Sequence, residues 1–198
     1  MPSRMRRSPP SAGAGSSGSS TPVVIVPSHT KDPTWSLQPT SVVLALRGQE
    51  YEIPAVPAVD WLTILMADDI DLERVLLELC PRGIELLTDE DVDPEVLYDA
   101  LLDVVEEVSG RYWWIALRLI VTIRVNWNVL GAEMFFRNLD PARMSLSGWL
   151  DAMLVIAIKS MEPKDVAMFV SKLELPPPGE ELDPEDMEMS ADQFLSMA

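Results

Sequence analysis

Histidine and cysteine are almost missing from this chain. There is one of each, His29 and Cys80, among 198 residues. A single cysteine excludes an internal disulfide and fits a reducing compartment. Cys80 stands between Leu79 and Pro81 at the end of an apolar run, which suits a small buried thiol better than a nucleophile. A serine nucleophile needs a base, and His29 lies in a loose N-terminal stretch. The chain has no GxGxxG, no P-loop, no HExxH and no paired CxxC. The reading is therefore non-catalytic, with no catalytic residue, no cofactor and no metal.

Positive charge is also scarce. Fifteen Lys and Arg stand against 32 Asp and Glu, a net charge of −17. The imbalance is uneven. Residues 1–31 carry Arg4, Arg6, Arg7 and Lys31 and no acid, whereas residues 171–198 sum to −7. A body this acidic repels phosphate backbones, so nucleic-acid binding is not expected of it. The basic N-terminus reads as a solubilising tail. It also lacks the apolar stretch of a secretory signal, because "MPSRMRRSPPSAGAGSSGSS" turns polar where that stretch should begin.

Two acid clusters invite a metal reading. In Asp68, Asp69, Asp71 and Glu73 the spacing matches no calcium loop, since the glycine and the distal bidentate Glu are missing. The second, Asp89, Glu90, Asp91, Asp93 and Glu95, precedes a helix, where negative charge favours the N-terminus.

Residues 1–33 are rich in Ser, Gly and Pro and are expected to be disordered, with Val23 to Val26 able to pair as an edge strand. In "VVLALRGQEYEIP", Leu44 and Leu46 share one strand face, and Tyr51 and Ile53 share another. Gly48-Gln49 suits a two-residue turn with glycine first. Such a hairpin is marginal alone and must pack on helices.

Helical spacing follows. Trp61, Leu62, Leu65 and Met66 begin it. Leu72, Val75, Leu76 and Leu79 continue it until "PRG" (81–83) stops the run. Asp93 and Pro94 form an N-cap and first helical position, Leu97, Leu101, Val104 and Val108 an apolar stripe, and Gly110 the C-terminal glycine. Residues 111–138 give the longest helical signal. As a membrane span, the nine Ile, Leu and Val of "YWWIALRLIVTIRVNWNVL" would contribute about −3 to −5 kcal/mol, while Arg118 and Arg124 each cost about +2.5 to +3.5. Insertion loses. A core rod is expected instead, with Ala116, Leu119, Ile120, Ile123, Trp127 and Leu130 inward and Arg118, Thr122 and Asn126 as a polar stripe. Ser145 or Ser147 caps a helix carrying Leu150, Leu154, Ile158 and Met161. The last core helix starts near Pro163 with Val166, Phe169, Val170 and Leu173 inward, and "LPPPGEE" ends it.

The expected fold is mainly α: a single helical domain of five or six helices over residues 34–174, preceded by a short β-hairpin, between a disordered tail at 1–33 and an acidic flexible tail at 175–198. Six tryptophans and eleven methionines read first as core filling, although methionine also adapts to varied partners. In the C-terminal tail, Met187, Phe194 and Leu195 have the spacing of a short amphipathic anchor and are the candidate partner-binding residues.

The stretches "LALRGQEYEIPAVPAVDWL" and "RYWWIALRLIVTIRVNWNVLGAEMFFRNLDPARMSLSGWLDAMLVI" carry a resemblance. Hairpin, proline link, Asp-Trp-Leu helix start, Trp-rich helix, Gly-Ala break and Ser-x-x-x-Trp-Leu-Asp-Ala helix start are together similar to the tail assembly chaperones of long-tailed (siphovirus-type) actinobacteriophages. The resemblance spans about residues 35–175 and consists of diffuse apolar positions. It implies a non-catalytic protein of the host cytoplasm, absent from the mature virion. Such a protein binds and solubilises the tape measure protein and helps recruit the tail tube protein. It implies self-association and association with a longer form made by programmed ribosomal frameshifting, with no nucleic-acid or membrane partner. The alternative is a virion structural or head-tail adaptor protein that stays in the particle. On either reading the free edge of the hairpin could add a strand to a sister subunit or client, testable by deleting residues 41–56.

Overall fold

The computed structural model describes residues 41–178 together with 23–25, 39 and 180. The expected tails at 1–33 and 175–198, the basic Arg4, Arg6 and Arg7, His29, and the candidate contacts Met187, Phe194 and Leu195 lie largely or wholly outside the described residues. The chain divides into two compact units. Gly18–Leu173 form one of them. Every element below belongs to the first, apart from the last residue of the final helix.

The fold is mainly helical. Three short strands come first: β1 (Val23–Ile25), β2 (Val42–Leu46) and β3 (Gln49–Ile53). They pair antiparallel in the order β1-β2-β3, so β1 covers one edge of the hairpin and β3 is the open edge. The β2–β3 register sets Val42 against Ile53, Leu44 against Tyr51 and Leu46 against Gln49. That places Val42, Leu44, Leu46, Tyr51 and Ile53 on one face, and all five are buried. The turn corrects the sequence reading by one residue. Its central pair is Arg47-Gly48, with φ of 52° and 76°, which is the type I′ geometry with glycine second. Arg47 is a non-glycine residue at positive φ. The Arg47 guanidinium reaches Asp91 at 3.2 Å and Asp89 at 3.5 Å.

Eight α-helices follow among the described residues: α1 (Ala58–Leu65), α2 (Glu73–Leu79), α3 (Gly83–Leu87), α4 (Pro94–Ser109), α5 (Trp113–Val125), α6 (Trp127–Phe136), α7 (Leu146–Lys159) and α8 (Pro163–Glu174), with a 3-10 turn at Pro141–Arg143. The number exceeds the sequence expectation for two reasons. The run does stop before "PRG" (81–83), but Gly83 then begins a further short helix, α3, and the long rod is two helices.

The caps of α4 are those expected. Asp93 accepts a hydrogen bond from the Glu95 N–H at 3.0 Å, and Gly110 takes a left-handed φ of 64°. Ser145, rather than Ser147, caps α7 by accepting from Gly148 N–H at 3.1 Å. The core is shared by α1, α4, α5 and α7 with the inner face of the sheet, and its fully buried members include Trp149, Leu101, Leu119, Ile120 and Ile123. In α7 (Leu146–Lys159) Leu150 and Leu154 are buried as expected, with Trp149, Met153 and Ile156, while Ile158, and Met161 past the helix end, are half-buried. In α8 Leu173 is buried while Val166, Phe169 and Val170 are half-buried, so this helix lies at the margin.

Candidate docking surface

The two acid clusters have structural employment. Asp71 accepts from the Glu73 N–H at 3.0 Å at the start of α2, and Asp68 lies 3.8 Å from Arg124. Asp93 caps α4, and Asp89 and Asp91 hold Arg47 at the hairpin turn. Cys80 is buried. Burial pushes its thiol above the ordinary range, against the opposing backbone hydrogen bond and charge of Arg82, so it is neutral at pH 7. A polar cleft of about 450 Å³ lies beside the hairpin turn, lined by residues including Arg47, Tyr51, Glu85 and Asp89. Arg82 closes over the Tyr51 ring at 5.0 Å and hydrogen-bonds to Glu85.

The surface that stands out is apolar. Residues 111–138 do not form one rod. α5 and α6 meet at 92°, and Asn126 is the joint. Its side-chain amide donates to the Thr122 carbonyl at 2.8 Å, and its backbone N–H donates to the same oxygen at 3.1 Å. Its own carbonyl accepts from the N–H groups of Val129 and Leu130, at 3.0 Å each. A side chain that bonds back to the preceding turn competes with helix continuation, and the chain restarts in a new direction. The expected polar stripe is thereby used up. Thr122 Oγ1 donates to the Arg118 carbonyl at 2.8 Å, and Arg118 reaches the carbonyls of Lys172 and Leu173 at 3.1 and 3.2 Å.

The bend corrects the expected position of Trp127, and the inward set ends at Ile123 on α5. Trp114, Ala116, Leu119, Ile120 and Ile123 are buried on α5, but on α6 Leu130 alone is buried. α6 packs against α7. Most of the rest of the helix is apolar, and much of it is open. Phe136 is 81% exposed, Phe135 78%, Val129 60% and Trp127 40%, with Val125 at the corner 74% exposed. Val129, Ala132, Phe135 and Phe136 follow three-and-four spacing along the outward side. The two phenylalanine rings meet edge to face, 6.1 Å apart at 72°. Exposed single apolar residues are ordinary, but a contiguous set of this size marks an interaction surface.

Electrostatics separates this surface from its surroundings. Residues 127–143 carry Glu133, Arg137, Asp140 and Arg143, with no net charge, whereas residues 39–110 carry eighteen acids against Arg47, Arg74 and Arg82. Glu133 and Arg137 pair at 3.3 Å along α6, and Asp140 pairs with Arg143 at 3.3 Å. A neutral apolar strip thus interrupts an acidic body. Among the described residues no single helix is long and apolar enough to cross a membrane, and only α5 and α6 taken together reach that length and composition.

Sequence reasoning missed this surface because it placed Trp127 and Leu130 on the inner face of a continuous helix. A signal was available. Residues 127–136 are apolar on every side of the wheel, so no single neighbour could cover them all.

No protein-family model, no curated protein and no solved structure matches the chain.

Proposed function

We propose that this chain is a phage tail assembly chaperone, a non-catalytic holder that binds the tape measure protein, keeps it from aggregating in the host cytoplasm and helps bring tail tube subunits to it. The proposal joins the resemblance of residues 35–175 to one structural observation, the open apolar face of α6 on an acidic body. A long apolar client needs a complementary apolar surface. A strongly charged carrier keeps the resulting complex dispersed. The face is built on a helix anchored through Leu130, with its aromatic side chains outside, which is how a helix-in-groove contact presents anchors.

Co-expression tests the reading. The tape measure protein should partition into the soluble fraction with this chain and into inclusion bodies without it. The double variant Phe135→Ser/Phe136→Ser should lose that protection while keeping its helical circular dichroism. Mass spectrometry of finished virions should find the chain absent. Its presence at stoichiometric level would replace the chaperone reading with that of a structural or adaptor protein.

A further inference from the structure

We propose that the open edge of β3 binds an extended segment of another protein that carries Lys or Arg at two alternate positions around an apolar residue, the segment adding a fourth strand beside Glu50, Tyr51 and Glu52. This surface is separate from α6, and the inference does not rest on the chaperone reading. An open edge by itself names no partner; the charge along this one does.

The backbone of β3 offers the bonds. Leu46 and Gln49 close the two-residue turn as a hydrogen-bonded pair, so Gln49, Tyr51 and Ile53 direct their N–H and C=O groups to β2. Glu50 and Glu52 direct theirs the other way, where the sheet has no further strand among the described residues. The side chains select the partner. Glu50 and Glu52 are exposed on the outer face, and their cross-strand neighbours, Ala45 and Val43, supply no counter-charge. The nearby cations are engaged elsewhere, Arg47 with Asp89 and Asp91 and Arg82 with Glu85. Among the described residues neither glutamate side chain has an ion-pair partner. In an added strand of either direction, the residues opposite Glu50 and Glu52 are two apart and share the outer face, where opposite charge is favourable. The residue between them stands opposite Tyr51 on the inner face. Tyr51 and Ile53 are buried there, and Tyr51 and Gln49 help wall the cleft of about 450 Å³, which suits an apolar side chain. The same charges turn away a second copy. Antiparallel β3–β3 pairing centred on Tyr51 would set Glu50 of each copy against Glu52 of the other, and like charges directly opposite are destabilising. Charge of this kind keeps an edge from pairing at random and leaves it open to a complementary strand.

Fluorescence anisotropy of labelled eight-residue peptides against the full chain tests this. At about 0.15 M salt the Debye length is about 8 Å, which damps the general pull of an acidic protein on any cation. The peptide TTRVRVTS should bind saturably, with a dissociation constant below about 1 mM. TTEVEVTS should not bind. Nor should TTRVRVTS N-methylated at both arginines, which keeps the charge and removes the main-chain donors that strand addition uses. Glu50→Lys/Glu52→Lys, two changes at exposed side chains, should weaken TTRVRVTS at least tenfold and take up TTEVEVTS, with unchanged circular dichroism. Phe135→Ser/Phe136→Ser should bind TTRVRVTS as the wild type does, so the result stands apart from the fate of the α6 face. No binding of TTRVRVTS overturns the inference, as does binding that N-methylation or the charge reversal leaves unchanged. Binding that appears only in Arg4→Ser/Arg6→Ser would assign the edge to the chain's own Arg4-Met5-Arg6, and a peptide that dissociates a dimer of the chain would assign it to a second copy. Either result overturns the outside partner.

Discussion

The indole of Trp127 lies against Gly131, one turn further along α6. A Cβ placed on Gly131 would stand 3.0 Å from Cε2 and 3.2 Å from Cδ2 of the ring. Glycine here lets the indole fold back on its own helix, although glycine costs a helix interior about 1 kcal/mol relative to alanine. Gly131→Ala should therefore lift the indole off the helix. Because the ring is already partly exposed, the change in stability should stay within about 1 kcal/mol, the propensity gain offsetting the lost contact. Trp127 emission, isolated by comparison with Trp127→Phe, should shift to the red. An unshifted spectrum would mean that the ring does not rest on Gly131.

Gly83 is the opposite case. A Cβ there would stand 2.0 Å from the Leu76 carbonyl oxygen. The obstacle is backbone, which cannot rotate away as a side chain can. Gly83→Ala should force α2 and α3 apart and lower stability by about 3 kcal/mol or more. Urea denaturation measures this. A loss below about 1 kcal/mol, the ordinary scatter of point mutants, would show that the close approach is not maintained in solution.

These two glycines mark where the sequence was legible and where it was not. Local chemistry read well. Asp93, Pro94 and Gly110 delimit α4 by their own conformational preferences, and the alternation of Leu44, Leu46, Tyr51 and Ile53 chose the buried face of the hairpin despite the one-residue error in its turn. What failed depends on neighbours. The apolar wheel of residues 127–136 hints at a change within 111–138, but the break itself rests on the back-bonding of Asn126 and on the packing of α6 against α7. "PRG" does end α2, but that Gly83 also opens α3, and must be glycine there, depends on the Leu76 carbonyl passing so near. The hairpin also proves to be part of the core. Deleting residues 41–56 would remove Val42, Leu44, Leu46, Tyr51 and Ile53, all buried, so that deletion would unfold the protein and could not test whether the β3 edge adds a strand to a partner.

Cys80 gives a pH prediction whose sign follows from its burial. Desolvation raises the folded-state pKa, opposed by the Arg82 backbone hydrogen bond and charge. The fold thus favours the neutral thiol. That contribution is fully present below the unfolded thiol pKa of about 8.5 and is lost as pH rises from there through the folded value. Unfolding free energy should fall more steeply above pH 8.5 in the wild type than in Cys80→Ala, with parallel profiles from pH 6 to 8. Parallel profiles at all pH values would mean that the thiol titrates normally. Alkylation of the native protein at pH 7.5 should be slow and limited by opening of the fold.

Arg118 fastens the last helix. From the middle of α5 its guanidinium donates to the carbonyls of Lys172 and Leu173, at 3.1 and 3.2 Å. These are end-of-helix acceptors that no intrahelical donor reaches. α8 has few other holds, since Leu173 is its one buried residue. Arg118→Met keeps the aliphatic stem and removes the donors. It should cost about 1 kcal/mol globally, the net worth of such contacts at a half-exposed site. The larger effect should be local, with amide exchange across Pro163–Glu174 accelerating while α4 and α7 stay protected. Arg118→Lys restores the charge but not the planar fork that spans two carbonyls, so it should recover less than half of the protection. Full recovery with lysine would show that charge at the helix C-terminus suffices and that the paired hydrogen bonds are incidental.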